Sequence, residues 1–229
     1  PRPSGREITS HDDCFEWVEL LALSSSGATV ARAFVRIGDH EAIAAWPRRF
    51  DHMDVSHSIC IYAESTREAR YVVPFCLHAH SESDLDGAKR CVVEAGKQVL
   101  IQMDGPPASV HWYSDGHNGF ELLIPFQVFD AFYSPWTFAL YADIAAQLDR
   151  FQPGFLDLSI YSQDYAWTLP NSRGPGGLYK IPLTEDEITE LSADQILEMA
   201  ASPDLTTGDI LAELAARGGP WAQLQGDQP

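Results

Sequence analysis

The chain has 229 residues, 45% of them hydrophobic, with 15 Lys and Arg against 33 Asp and Glu. This composition is typical of a folded globular protein and excludes general disorder, collagen and coiled coil. The net charge of −18 disfavours a free-standing nucleic-acid binder, because nonspecific affinity for phosphate backbones depends on clustered cations. No apolar run approaches the roughly 18 residues of a membrane span, and four cysteines fit a reducing compartment. We expect a cytoplasmic protein without membrane association.

Predicted strands alternate with predicted helices, which indicates an α/β or α+β fold. Regular elements are expected at 16–23 and 29–37. A strand at 71–80 follows, and because successive side chains of a strand face opposite ways, one of its faces carries Cys76, His78 and His80. A helix comes next, with Ser83 as its N-cap and apolar residues at helical spacing.

Two further strands are predicted at 109–113 and 120–124, around a polar turn with a strong hairpin signal, Asn118-Gly119. The segment 128–150 is predicted to be mainly helical, with an interruption at Pro135. Apolar and polar residues alternate over 155–161, which predicts a strand with Asp157 on its polar face. A short strand at 178–183 and acidic helices complete the chain. We divide it into a domain at 1–183 and an acidic helical segment at 184–229.

Several segments, in this order, resemble the motifs of the archaeo-eukaryotic primase (primase-polymerase) superfamily. Residues 75–80 stand where that family has a strand with Phe-Asp-x-Asp, and 113–121 where it has Ser-Gly-x-x-Gly-Phe-His. Residues 156–158 stand in place of its apolar-Asp strand. Two further segments close the match, 169–172 and 177–183. The resemblance implies a fold of mixed sheets flanked by helices.

The motifs depart from the family pattern at the positions that carry its chemistry. In the family, two aspartates of the first motif and one of the third hold the catalytic metal ions; these positions are Cys76, His78 and Asp157 here. Asp157 is therefore the candidate catalytic residue. The family histidine that contacts nucleotide phosphate is Glu121 here. The resemblance assigns nucleotide binding to Ser114, Gly116, Asn118 and Lys180.

These departures weaken the expected site in two ways. One carboxylate remains where the family has three, which lowers affinity for hard Mg²⁺ ions. Glu121 puts a negative charge where a triphosphate would lie, and two like charges ~4 Å apart repel by about 4 kcal/mol at an effective dielectric near 20. We therefore expect a primase-like domain that has lost nucleotidyl transfer.

Cys76, His78, His80 and Asp157 are candidate metal ligands, since cysteine, histidine and carboxylate together suit a soft ion such as zinc. The alternative is that Cys76 packs as a small hydrophobe and the histidines form surface hydrogen bonds. We predict that Cys76, His78 and Asp157 lie on adjacent strands and face a common cleft. No cofactor is assigned beyond a divalent metal ion: Zn²⁺, Mn²⁺ or Mg²⁺.

Smaller clusters have plainer interpretations. Asp84 and Asp86 form the literal Asp-x-Asp of the chain, and helix-start chemistry explains them better than metal binding. An acidic and histidine-containing stretch is predicted to be a polar loop; it comprises Asp51, His52, Asp54 and His57. The turn at 114–119 is either a phosphate-binding turn or an ordinary hairpin loop.

Three functions remain open. The first is a catalytically degenerate module with a structural, recognition or regulatory role in nucleic-acid processing, for which the resemblance suggests bacterial replication, mobile-element or anti-phage assemblies. The second is an active primase-polymerase with an unusual metal set, and the third is a zinc-dependent hydrolase. We expect weak nucleic-acid binding by the chain alone. A protein partner (helicase, nuclease or other subunit) or further domains of the same chain would supply basic surface, with the acidic C-terminal helices as the dock.

Overall fold

The computed structural model describes residues 15–24, 26, 28–36, 39–50, 53–63, 69–70, 75–103, 110–124, 137–162, 166–174 and 176–203. Within these ranges the chain forms two antiparallel sheets and five α-helices. The predicted α+β class is confirmed. None of the helices in these ranges is long and apolar enough to cross a membrane.

The first sheet is built mainly from the N-terminal part of the chain, in the order β2-β1-β3-β4, with β8 also paired to β3. Its strands are β1 (Phe15–Leu23), β2 (Thr29–Arg36), β3 (Asp54–Ala63), β4 (Ala69–Arg70) and β8 (Ala166–Thr168). Helix α1 (His40–Arg49) packs Ile43 and Trp46 against the buried residues Leu20 and Val55 of this sheet. Buried and partly exposed residues alternate along β1, so that one face is apolar and forms a small core with α1.

The second sheet has the order β5-β7-β6-β9. Its strands are β5 (Phe75–His80), β6 (His111–Ser114), β7 (Gly119–Ile124) and β9 (Ile181–Leu183). Helix α2 (Leu85–Met103) covers one face so closely that a Cβ at Gly96 would lie 2.3 Å from Leu122. On that face Leu77 of β5 is fully buried. The other face carries His78 and Glu121, so the alternation predicted for β5 is confirmed.

The segment after β8 links the two sheets. The N–H of Leu169 donates to the carbonyl of Val55 in the first sheet (2.7 Å). Further along, the N–H of Lys180 donates to the carbonyl of Ser172 (2.9 Å) just before β9. Lys180 is thereby placed at the entry to the second sheet.

The N-cap of helix α2 lies one residue later in the chain than predicted. Oδ1 of Asp84 accepts the N–H of Gly87 (2.8 Å), and the carbonyl of Asp84 accepts the N–H of Ala88 (3.0 Å). Asp84 is therefore the N-cap, and the prediction of Ser83 was wrong. Asp84 is the better N-cap because its carboxylate accepts a free N–H group of the first turn and also interacts favourably with the positive end of the helix dipole.

The strand predicted at 155–161 was also wrong. Leu156 forms a single bridge with Ala79, and the chain then enters a 3-10 turn, Leu158–Ile160. The physical reason is local: Oδ1 of Asp157 accepts the N–H of Ser159 (2.8 Å) and bends the backbone out of the sheet. Leu158 is exposed as a result, whereas Ile160 is buried.

The described part of the acidic segment packs onto the core. Helices α4 (Glu185–Glu190) and α5 (Ala193–Met199) follow helix α3 (Thr137–Asp149) in the chain. They bury Ile188, Ala193, Ile196 and Ala200 in the same cluster as α2. The division between 183 and 184 stays a prediction. The remainder of the segment, the predicted helix at 128–136 and the interruption at Pro135 lie outside the described residues.

Two polar side chains of α2 hold these helices at their ends. Nζ of Lys89, itself buried, donates to the carbonyls of Ile188 (3.1 Å) and Leu191 (2.6 Å). Oδ1 of Asp86 accepts the N–H of Ala193 at the start of α5 (3.0 Å). A cation at a helix C-terminus and an anion at a helix N-terminus are the favourable arrangement.

We predict that Lys89→Met lowers the free energy of unfolding by about 2 kcal/mol, because two buried carbonyls lose a charged donor. Lys97→Met is the matched control on the same helix. Lys97 is half exposed and contacts Glu94, so its loss should stay within about 0.5 kcal/mol. Urea denaturation of both variants measures the difference. Equal stabilities would show that Lys89 does not anchor the C-terminal helices.

Candidate functional site

The cleft-facing side of the second sheet is organised around His78. In the register of β5 with β7, His78 lies directly opposite Glu121, and in the register of β6 with β7, Glu121 lies opposite Tyr113. Directly paired residues present their side chains on the same face. The three side chains therefore form one row across the middle of the sheet.

Asp115 makes the closest polar contact to the ring of His78 among the described residues. Its Oδ2 lies 3.1 Å from Nε2 of His78. Its Oδ1 accepts the N–H groups of His117 (2.7 Å) and Gly119 (3.0 Å), which fixes the carboxylate within the turn. A Cβ at Gly119 would lie 2.6 Å from Oδ2 of Asp115 and 2.9 Å from Nε2 of His78. This contact therefore depends on the absence of a side chain at Gly119.

Asp157 approaches His78 from the other side. The N–H of Asp157 donates to the carbonyl of His78 (2.8 Å), although Asp157 follows a single bridge and not a full strand. Oδ2 of Asp157 lies 3.8 Å from Nδ1 of His78. The expectation that Asp157 lies beside β5 is thus met. His78 has a carboxylate facing each of its ring nitrogens.

This arrangement favours a positive charge on His78. Burial alone would lower the pKa of His78, but the attraction of Asp115 and Asp157, with a further contribution from Glu121, raises it to about 10. His78 in turn lowers the pKa of Asp157. Burial opposes ionisation of Asp115, but His78 and the two backbone N–H groups outweigh it and lower the pKa.

His80 joins His78 and Asp157 in the group of candidate metal ligands found among the described residues. One ligand atom from each of the three lies within 4.8 Å of the others. Cys76 does not belong to this group, and its role as a metal ligand in a common cleft stays a prediction. It lies opposite Leu123 and is 2% exposed. Burial, with the charge of Glu121 second, raises the pKa of its thiol well above the usual value.

Glu121 and Lys180 form a buried ion pair, Nζ to Oε2. Lys180 is 2% exposed, and its Nζ lies 5.0 Å from the centre of the Tyr113 ring. The free negative charge that the sequence assigned to Glu121 is therefore compensated within the chain. Contact of Lys180 with a nucleotide stays a prediction, and it would require this pair to break.

The turn between β6 and β7 is tied to its neighbours. Ser114 is fully buried, and its Oγ accepts the N–H of Gly116 (3.5 Å). Gly116 has a φ of 75°, and a Cβ there would lie 2.7 Å from the backbone nitrogen of Lys180. The carbonyl of Asn118 accepts the N–H of Ser81 (3.0 Å). The hairpin is confirmed, and phosphate binding by this turn stays a prediction.

The other clusters contribute no second site among the described residues. Oδ1 of Asp54 is contacted by the hydroxyls of Ser56 (3.3 Å) and Thr168 (3.4 Å). Asp51, His52 and the side chain of His57 lie outside the described residues. Asp84 and Asp86 serve the helix ends, as described above.

Comparisons with known proteins identify the fold. No protein-family model and no curated protein matches the chain. Among solved structures, the polymerase domain of Mycobacterium tuberculosis Ligase D in complex with DNA superposes with a TM-score of 0.57 at 14% identity, over 93% of this chain and 86% of that one. The chain has a primase-polymerase fold. Primase RepB′ matches with a TM-score of 0.44 at 11% identity, over 93% of this chain and 61% of that one.

The primase-polymerase fold implies a pair of Mg²⁺ ions held by carboxylates, and the cleft does not fit them. Asp115 is committed to His78 and to two backbone N–H groups, and Glu121 is committed to Lys180. The side chain of Asp157 is partly exposed, and its Oδ1 accepts the N–H of Ser159. Two hard divalent ions need several carboxylate oxygens, and the carboxylates among the described residues of the cleft are too few to supply them.

Sequence reasoning did not single out Asp115. Its role depends on the hairpin register, which pairs His80 with Gly119 and so brings the first turn residue back over His78. A signal was present: an aspartate that begins a turn with a glycine four residues later is typical of side-chain capping of the turn. That signal predicts the hydrogen bonds to the backbone but not the contact with His78.

We predict that Gly119→Ala separates Asp115 from His78 and lowers the free energy of unfolding by about 1–3 kcal/mol, the usual range for overpacking. NMR of the histidine ring nitrogens should show a lower pKa for His78, because its partner is displaced. Gly176→Ala is the control, since a Cβ there first meets the ring of His117 at 3.3 Å. An unchanged pKa in Gly119→Ala would contradict the close approach.

The charge on His78 also predicts a pH dependence of stability. Because its folded pKa of about 10 exceeds the usual 6.5, its contribution is fully present below pH 6.5 and is lost as pH rises through about 10. The slope in this range is about 1.4 kcal/mol per pH unit for one proton. Comparing urea denaturation of the natural chain with His78→Gln cancels other titrating groups. A difference that does not shrink with rising pH would refute the ion cluster.

Proposed function

We propose that this chain is a primase-polymerase-type domain that has lost nucleotidyl transfer and serves as a structural, recognition or regulatory module in a nucleic-acid-processing system. The fold supports the class of protein. The observation that carries the loss of activity is the internal pairing of the cleft: Lys180 is bound by Glu121, and His78 is bound by Asp115 and faces Asp157.

This pairing opposes nucleotide binding on energetic grounds. Lys180 and Glu121 are 3% and 12% exposed at their side chains, so separating them leaves a buried charge without a partner. Such a loss typically costs 3–5 kcal/mol. A triphosphate would have to replace Glu121 at Lys180, and Glu121 would then repel it. In the proposed module the fold is therefore kept, but the charged side chains of the cleft bind one another and not a nucleotide.

The proposed partner is a basic protein, such as a helicase, nuclease or other subunit, or a further domain of the same chain. The net charge of −18 supports weak nucleic-acid binding by the chain alone. The described surface of α4 and α5 supports a dock for a basic partner, because it exposes Glu185, Asp186, Glu190, Asp194 and Glu198. Acidic surface of this kind attracts basic partners at low ionic strength.

A second candidate is an enzyme that uses the same cleft with a divalent ion, either an active primase-polymerase or a zinc-dependent hydrolase. The grouping of His78, His80 and Asp157 favours it. In this case Asp157 would hold the ion, and the ion would supply Lewis-acid chemistry.

The decisive experiment is a primer-extension and priming assay with the purified chain, dNTPs or NTPs, and Mg²⁺ or Mn²⁺, alongside an active primase. We expect no templated addition, because the described residues of the cleft offer too few free carboxylates for two ions. Asp157→Ala is the control for contaminating polymerase. Fluorescence anisotropy with single-stranded and duplex DNA at ~150 mM salt should also show weak binding.

Robust incorporation that Asp157→Ala abolishes would overturn the proposed loss of activity. Weak incorporation that is equal in both proteins is contamination and leaves the proposal standing. Submicromolar DNA binding by the chain alone would refute the need for a basic partner.

A further inference from the structure

The ring of His78 is held in the orientation that metal-binding histidines adopt. Its Nε2 is engaged by Asp115 at 3.1 Å, while its Nδ1 is buried and forms no hydrogen bond with any residue that the structure describes. Metal-ligating histidines usually donate their second ring N–H to a carboxylate, which fixes the ring and strengthens the free nitrogen as a ligand. Asp115 occupies the position of that carboxylate.

The free nitrogen faces two other donors. Oδ2 of Asp157 lies 3.8 Å from it, and the ring centres of His78 and His80 are 5.4 Å apart. One ligand atom of each residue lies within 4.8 Å of the others. In a tetrahedral zinc site with bonds of roughly 2.0–2.2 Å, ligand atoms are about 3.3–3.5 Å apart. Small side-chain rotations of the partly exposed His80 and Asp157 would close this difference.

We propose that the cleft binds one zinc-type transition-metal ion through Nδ1 of His78, a ring nitrogen of His80 and a carboxylate oxygen of Asp157, with Asp115 as the positioning residue. Three protein ligands leave a fourth position for water or another ligand. The site replaces the pair of Mg²⁺ ions that the fold implies. It does not depend on whether nucleotidyl transfer has been lost.

The chemistry of the donors selects the class of ion. Two imidazoles and one carboxylate suit Zn²⁺ and its neighbours in the transition series, whereas Mg²⁺ prefers oxygen ligands. The carboxylates on both sides of His78 favour a positive charge at this point, and the ion would supply that charge in place of the proton on Nδ1, which is released on binding. Cys76 is left out of the proposed donor set because its side chain is buried and does not belong to the group of His78, His80 and Asp157.

Asp115 has a distinct role, because it contacts the ligand and not the ion. Two backbone N–H groups and the close packing at Gly119 fix its carboxylate. Loss of an outer-shell carboxylate typically weakens metal binding 10–100-fold without removing a ligand. Asp115→Asn should therefore bind zinc more weakly with unchanged stoichiometry.

The test uses chelator-stripped protein titrated with Zn²⁺, Co²⁺ and Mg²⁺ as the free ions. We expect one Zn²⁺ per chain by calorimetry, visible bands of low-symmetry Co²⁺, and no Mg²⁺ at the same site. His80→Gln and Asp157→Asn should each lower zinc affinity more than 10-fold, and His117→Gln, a matched change on the neighbouring turn, should not. Nitrogen NMR of the histidines should place the ion on Nδ1 of His78. Circular dichroism confirms that each variant is folded.

Absence of zinc binding by the stripped natural chain would overturn the site, as would equal affinity in folded His80→Gln and Asp157→Asn. Loss of binding in Cys76→Ser would assign the thiolate as a ligand and contradict the donor set. Asp115→Asn that binds zinc as tightly as the natural chain would remove its positioning role. None of these outcomes depends on the result of the primer-extension assay, so the metal site and the proposed function can be refuted independently.

Discussion

The pairing of β5 with β7 places His78 directly opposite Glu121, and the rest of the cleft compensates the charges that this pairing buries. Buried charges are tolerated when each has a partner at close range. Lys180 meets Glu121, and two carboxylates meet His78. The charged side chains on the cleft-facing side of the second sheet thus pair with one another. They come from four separate parts of the chain: β5, the β6–β7 hairpin, the segment at Asp157 and the segment at Lys180.

The turn between β6 and β7 does two things at once. Gly119 allows Asp115 to reach His78, and Gly116 allows the turn to lie against the backbone before β9. Both contacts require a small residue, although for different reasons: the first for space alone, the second also for a positive φ of 75°. The turn therefore holds the carboxylate of Asp115 in a fixed position relative to the sheet.

The sequence predicted the elements whose pattern is strong and local. The alternation in β5 and the hairpin after β6 were right, because burial of one face imposes a period of two. The segment 155–161 was wrong because the bond from Ser159 to Asp157 outweighs alternation once the chain leaves β5. The pairing of Lys180 with Glu121 joins residues far apart in sequence, and the contact of Asp115 with His78 depends on register. Neither has a signature in composition or spacing.

Helix α2 has a mechanical consequence for how the molecule would respond to a load. Asp86 and the buried Lys89, both in the first part of the helix, bind the ends of α5 and α4, while its apolar face packs against β5 and β7. A force applied to the acidic helices would therefore be transmitted through the contacts of Asp86 and Lys89 to the sheet that carries His78. The helix therefore joins the acidic helices to the sheet that carries the cleft through direct side-chain contacts.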